Sequence, residues 1–157
     1  MAVAPLVLVQ TRMASTRLPG KVLKPLLGQP LLLWLLDRLH TGLIQPHRLV
    51  VAAPDTPENH ALADLCVRHG TDCHLVALQH AAEDDVLGRF AWISTQYPDV
   101  DRIVRVCGDC PCLDPSIIAH VLASSTGDLA GVAAEWPEGC ADIEVISRGA
   151  LEAAARD

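Results

Sequence analysis

Aromatic side chains are nearly missing from this chain. Three Trp, one Tyr and one Phe make up 3% of its 157 residues. Its interior must therefore be aliphatic, and it has little material for the stacking platforms that hold single-stranded nucleic acid. Lysine is scarcer still, with Lys21 and Lys24 its only representatives. The formal net charge of −7 argues against DNA or RNA as the main partner. Long hydrophobic runs are absent too. The Leu-rich stretch 31–36 falls far short of the roughly 20 residues that span a bilayer. The opening MAVAPLVLVQTR has no charged segment ahead of its apolar run, so it reads as a strand rather than an export signal. A cytoplasmic protein with six reduced cysteines is the expectation. The seven histidines form no HxH or HExxH pair, and neither GxxxxGK[ST] nor GxGxxG occurs. Metalloprotease, P-loop and dinucleotide fingerprints are thus excluded.

What is present is apolar and regularly punctuated. Half of the residues are hydrophobic and the mean hydropathy is +0.28. A chain of this size makes one domain over 1–157 and buries about two-thirds of its unfolded surface. Strands are predicted at 6–9, 48–53, 72–76 and 102–106, alternating with helices. The first helix, 31–40, ends at Gly42 and is apolar on nearly every face, so it is packed on both sides or meets another subunit. The second, 58–69, starts from Thr56-Pro57 and stops at Gly70. A third runs from Glu83 to about Tyr97, with Glu83, Asp84 and Asp85 in its first turn. Asp114-Pro115 opens a fourth, to about Ser124. Strands at 129–133 and 143–147 flank a loop at 135–140, and Ser147 caps a last helix, 148–156. The alternation predicts an α/β fold, a mostly parallel open sheet with helices on both faces.

Charge is unevenly placed on this frame. No Asp or Glu precedes Asp37, while Arg12, Arg17, Lys21 and Lys24 all fall in the first 36 residues. A cationic loop directly after the first strand of an acidic protein attracts an anion. Ser15 and Thr16 add hydroxyls, Gly20 permits close backbone approach, and Pro19 stiffens the turn. Arg grips phosphate in a fork and Lys acts as a point charge. The competing reading is a solvated basic loop.

The segment Arg12–Lys21, RMASTRLPGK, resembles the opening signature of the cytidylyltransferases that make CMP-activated sugar acids. The nearest branch is the SpsF-type proteins of spore-coat polysaccharide synthesis, related to the acylneuraminate and Kdo enzymes. EDDVLGR (83–89), RVCGDCPCLD (105–114) and DIEV (142–145) follow in the same order. The resemblance implies a Rossmann-like nucleotidyltransferase fold and transfer of CMP from CTP to a sugar acid, releasing pyrophosphate. Arg12 and Lys21 would then hold the β- and γ-phosphates, with Ser15, Thr16, Arg17, Gly20 and Gly108 around the nucleotide. Asp85 would contact the base or ribose, and Asp142 and Glu144 would approach the sugar. The family usually continues further, so the chain is expected to be C-terminally truncated, lacking later strands, a dimerisation arm and another acidic residue. A homodimer is the family habit. A non-catalytic nucleotide-binding remnant is the alternative the short length raises.

Asp109 follows a predicted parallel strand, where ligands of open α/β sheets bind. A carboxylate there suits Mg²⁺ completed by phosphates, or it hydrogen-bonds its own turn. The resemblance favours the metal. Cys107, Cys110 and Cys112 allow a zinc or thiol-redox reading, with His120 or Cys140 completing a zinc set. Their other role is as small buried side chains.

Overall fold

The computed structural model describes residues 4–43, 47–132, 136–137 and 139–156. Its centre is strand β1 (Leu6–Gln10), whose Leu6, Leu8, Val7 and Val9 are all fully buried. Strict alternation is unnecessary in such a strand because both faces are covered. Val7 and Val9 pack into one core with Leu32, Leu36, Leu62 and Ile118. Leu6 and Leu8 pack into the other with Phe90, Ile93 and Leu151.

After β1 the chain forms a small hairpin, β2 (Pro25–Leu26) and β3 (Gln29–Pro30), turned by Leu27 and Gly28 with φ of 49° and 92°. Then come α1 (Leu31–Gly42), β4 (Arg48–Pro54), α2 (His60–His69), β5 (Asp72–Val76) and α3 (Val86–Ser94). They are followed by β6 (Arg102–Cys107), α4 (Pro115–Ser124), β7 (Leu129–Gly131), β8 (Ile143–Ser147) and α5 (Arg148–Ala154). The main sheet runs β5-β4-β1-β6-β8-β7. Its first four strands are mutually parallel; β8 joins β6 antiparallel, and β7 joins β8 antiparallel. The expected mostly parallel sheet is therefore present. The chain builds outward from β1 to β4 and β5, then crosses back to place β6 on the other side of β1. That reversal opens a crevice at the carboxyl ends of β1 and β6.

Four local expectations change. Gly42 does not stop α1 with a left-handed turn; the next residue, Leu43, has φ −83°. It is glycine because α1 approaches α4 closely: a Cβ there would lie 2.7 Å from Pro115 Cγ. Thr56 leads into a 3₁₀ turn, Pro57–Asn59, before α2, and makes no side-chain cap. α3 begins at Val86, so Glu83 and Asp84 stand outside it. Asp85 Oδ1 accepts the Gly88 N–H at 2.7 Å as the helix cap. β7 is shorter than 129–133; Ala133 of that predicted strand, and Glu135 and Glu138 of the predicted loop, lie outside the described residues. Elsewhere the caps stand as expected: Gly70 ends α2 at φ 78°, Asp114 accepts from Ser116 N at 2.9 Å, and Ser147 Oγ accepts from Ala150 N at 3.1 Å.

The all-round apolar α1 is covered from two sides. Leu32, Leu35, Leu36 and Leu39 are buried against the sheet, and the hairpin lies along the opposite flank, where Trp34 Nε1 donates to the Leu26 carbonyl at 2.7 Å. No helix among the described residues is long and apolar enough to cross a membrane.

Candidate nucleotide site

The loop leaving β1 is held by its own backbone. Gln10 and Thr11 carry on the strand's direction, and Thr11 N–H donates to the Ala52 carbonyl of β4 at 3.1 Å. The Met13 carbonyl then accepts from both Ser15 N and Gly20 N at 2.9 Å. Gly20 closes that loop at φ 66°, and a 3₁₀ turn, Lys21–Leu23, follows. Asn59, fully buried, fastens the loop from outside: its Oδ1 accepts from Met13 N at 2.9 Å while its Nδ2 donates to the Pro54 carbonyl and Thr56 Oγ1. A buried amide with every arm engaged fixes the loop's register against β4.

From β6 comes the facing wall. Gly108 N donates to the Gln10 carbonyl at 2.8 Å. A Cβ on Gly108 would lie 2.8 Å from Thr11 Cβ and 3.1 Å from that carbonyl oxygen. Only glycine lets the two loops meet this closely. The result is an open cleft of about 200 Å³ lined by Gln10, Thr11, Arg12, Ser15, Thr16, Arg17, Lys21, Val22, Arg89, Cys107 and Asp109.

Six of the residues singled out from sequence thus meet in one place: Arg12, Ser15, Thr16, Arg17, Lys21 and Asp109. Gly20 and Gly108 shape its walls. Lys21 Nζ donates to Asp109 Oδ2 across the cleft, both side chains being partly exposed. Arg12 and Arg17 have no carboxylate partner among the described residues. Four cations therefore face one carboxylate.

Three expected contacts stand elsewhere. Asp85 caps α3, the structural one of its two readings. Asp142 and Glu144 line a second cleft of about 310 Å³ with Arg105, Gly131 and Val132; it shares Cys107 with the first. There Arg105 Nη1 donates to Glu144 Oε2 at 2.9 Å and its Nε to Gln10 Oε1 at 3.1 Å. Burial is the largest effect on Arg105 and lowers its pKa, but the hydrogen bond to Glu144 and the charges of Cys107, Glu144 and Cys110 together outweigh it and hold the guanidinium above its ordinary value.

Sequence reasoning missed Arg89 and Asn59. Arg89 is 1% exposed, and its Nη1 donates to the carbonyls of Ala82 and Glu83 at 3.0 Å each. The signal was available: a lone arginine inside the apolar helical run VLGRFAWIS. Asn59 looked like one polar residue in a helix start.

The zinc and redox readings lose their footing. Among the described residues, no three His, Cys, Asp or Glu side chains are arranged to hold a metal ion. All six cysteines are free; Cys110 is buried, Cys107 half-buried and Cys112 exposed, so the trio is not uniformly interior. Burial, with the Cys107 charge beside it, pushes the Cys110 thiol up to about 12, the reverse of a reactive thiol. Magnesium makes a different demand. It is often held by one or two carboxylates with substrate phosphates supplying the rest. Asp109, exposed beside the cationic loop, fits that single-carboxylate mode.

A family model for cytidylyltransferases matches residues 6–126. The 3-deoxy-manno-octulosonate cytidylyltransferase of Rhodopseudomonas palustris (strain BisB18) is 36% identical over 135 residues, covering 83% of this chain and 52% of that protein. The protein of the same name from Nitrobacter hamburgensis is 36% identical over 135 residues, covering 83% and 49%. The chain spans about half the length of the curated relatives it matches. Among solved structures, a cytidylyltransferase from Leptospira borgpetersenii is similar with a TM-score of 0.82 at 24% identity, over 96% of this chain and 63% of that one. A CMP:2-keto-3-deoxy-manno-octonic acid synthetase complexed with CTP is similar at 0.76 and 15% identity, over 98% and 78%. These two likenesses establish a shared fold.

Proposed function

The chain belongs to the cytidylyltransferase family, and from that premise we propose that it binds CTP with Mg²⁺ in the β1–β6 cleft and transfers CMP to a sugar acid. The observation that carries this is the excess of positive charge there: Arg12, Arg17, Lys21 and Arg89 against Asp109 alone, in a protein of net charge −7. Such an imbalance suits a triphosphate.

The reaction forms a bond from the acceptor hydroxyl oxygen to the α-phosphorus and breaks the bond from that phosphorus to the pyrophosphate oxygen. The hydroxyl proton leaves to solvent or to the departing pyrophosphate. Positioning and charge stabilisation account for most of catalysis in such displacements. Arg12 and Lys21 bind the β- and γ-phosphoryl groups and stabilise charge gathering on the leaving group. Backbone N–H groups around 15–20 and the Ser15 and Thr16 hydroxyls orient the same phosphates. Asp109 would hold Mg²⁺, which when bound neutralises phosphate charge. Lys21 and Asp109 pair with each other, so a triphosphate takes the lysine as its cation takes the carboxylate. Asp142 and Glu144, one cleft away, offer acceptors for sugar hydroxyls. The whole chain acts as one domain, 1–157.

The test is pyrophosphate release from CTP with Mg²⁺ and 3-deoxy-manno-octulosonate, the acceptor in the relatives' names. Release in wild type, lost in Arg12→Ala and Lys21→Ala, supports the reading; wild-type rates in both variants overturn it. A second reading, nucleotide binding without turnover, is favoured by Asp109 being the one carboxylate that lines the cleft among the described residues. Stabilisation by CTP–Mg²⁺ without pyrophosphate would select it.

A further inference from the structure

Three buried side-chain polar atoms among the described residues lack a hydrogen-bond partner: Thr11 Oγ1, Arg89 Nε and Ser125 Oγ. Two of the three belong to residues lining the cationic cleft. Orphaned polar atoms are costly in an interior, and a buried guanidinium without a counter-charge costs more. Their coincidence at one cleft needs an account.

Arg148 shows what a purely structural arginine looks like in this protein. Its Nε donates to the Val100 carbonyl, its Nη2 to the carbonyls of Ser94 and Tyr97, and its Nη1 to Glu152. All three nitrogens are engaged and a carboxylate balances the charge. Arg89 is more deeply buried and less satisfied. Among the described residues only its Nη1 is engaged, by two backbone carbonyls. Among the described residues no carboxylate forms an ion pair with it. The Nε–Nη2 edge, the side of the fork that donates to two oxygens of one oxyanion, has no partner among the described residues. The carbonyls of Ala82 and Glu83 hold the fork's other corner and so fix its aim. Burial first, then the nearby positive Arg12, lowers the pKa of Arg89, and the charges of Asp85, Glu83 and Asp84 offset this only in part; an anion lying between the two arginines would oppose the Arg12 repulsion.

We propose that Arg89 is a direct phosphate ligand, its Nε–Nη2 edge gripping a phosphoryl oxygen from the α3 side of the cleft opposite Lys21. The triphosphate is then clamped from two walls: the loop after β1 supplies Arg12 and Lys21, and α3 supplies Arg89. This rests on the proposed nucleotide site but names a residue that the opening signature does not contain. Arg89 also ties the 82–83 segment to the phosphates, so the segment ahead of α3 is set by the same side chain that meets the anion.

The experiment is calorimetric titration of wild type, Arg89→Met and Arg89→Lys with CTP–Mg²⁺, inorganic tripolyphosphate and cytidine. Loss of a charge-assisted contact in the cleft should weaken tripolyphosphate and CTP about 30-fold in Arg89→Met, with cytidine changed by less than about threefold. Arg89→Lys keeps the charge but not the fork and should fall between. If Arg89→Met lowers only the melting temperature and tripolyphosphate affinity stays within about threefold, the arginine is a structural tie and the proposal fails. It fails equally if only the KM for the sugar acid rises, which would make the acceptor carboxylate the anion. Should Arg89→Met not fold, Arg89→Lys decides, wild-type tripolyphosphate affinity overturning the clamp. Tripolyphosphate binding that depends on Arg89 in a protein indifferent to CTP would keep this inference while ending the nucleotide reading.

Discussion

The two clefts on either side of Cys107 are built from the same sheet edge, yet their charges are arranged oppositely. In the β1–β6 cleft four cations face one carboxylate. In the β6–β8 cleft Arg105 faces Asp142 and Glu144 and is already paired with Glu144. A site that satisfies its own charges can form and stay formed without a ligand. A site that leaves arginines unpaired is stabilised when an anion arrives. On the proposed reading the difference sorts the clefts by ligand: phosphate chemistry in the first, neutral polar groups such as hydroxyls in the second.

The sharpest way to break that comparison is to remove cations from one side and anions from the other. Arg12→Ala or Lys21→Ala should cost about 100-fold or more in pyrophosphate release, with tripolyphosphate affinity falling alongside. Glu144→Gln should leave tripolyphosphate affinity within about threefold and act on the acceptor's KM instead. Equal losses of tripolyphosphate binding from both clefts would merge them into one electrostatic unit.

Gly108 tests the wall between the clefts. A Cβ there meets Gln10 backbone and Thr11 Cβ, and backbone yields little. Gly108→Ala should destabilise by about 1–3 kcal/mol, read as a lower midpoint in urea, and weaken CTP binding as β6 moves off β1. Unchanged stability would show that the close approach is not fixed. Asp85→Ala ranks next. Losing the α3 cap costs about 1 kcal/mol. If capping is its whole role, CTP affinity per folded molecule stays constant. A fall in affinity beyond the stability loss would restore its other reading, contact with base or ribose.

How far the sequence could be read follows the same division. The cationic loop was visible because charge of one sign clusters within a short stretch, and the parallel sheet because apolar strands alternate with amphipathic helices. Arg12 and Asp109 each sit just past a strand, Lys21 closes the loop after β1, 88 residues from Asp109, and topology alone brings them together. Arg89 and Asn59 were not legible as site residues. The apolar run around Arg89 marked it as unusual, but the role of each residue depends on which carbonyl or amide lies opposite in space, and no local pattern encodes that. The hairpin at 25–30 escaped for a different reason. Its strands are too short for periodicity, so only Gly28 marked it. Asp85 went the other way: three adjacent carboxylates looked like a helix's first turn, but Arg89 holds the Ala82 and Glu83 carbonyls outside it.

The smallest expected effect concerns two cysteines in the loop after β6. Cys110 is buried beside the exposed Cys112. Burial first, then the Cys107, Asp109 and Asp142 charges, push the Cys110 thiol from 9.0 to about 12. Its folded pKa lies above its unfolded one, and the neutral form is the one the fold prefers. Its contribution to stability is therefore complete below about 9 and is lost as pH rises towards 12. Urea midpoints should fall across that window, and Cys110→Ala should make the fall shallower than in wild type, against the background of tyrosine and lysine ionisation common to both. At pH 8 iodoacetamide should label Cys112 and spare Cys110, because the thiolate is the reacting form. Rapid labelling of Cys110 in the folded protein would mean that the wall between the clefts opens to solvent, and the contrast between them would then be one of occupancy rather than of construction.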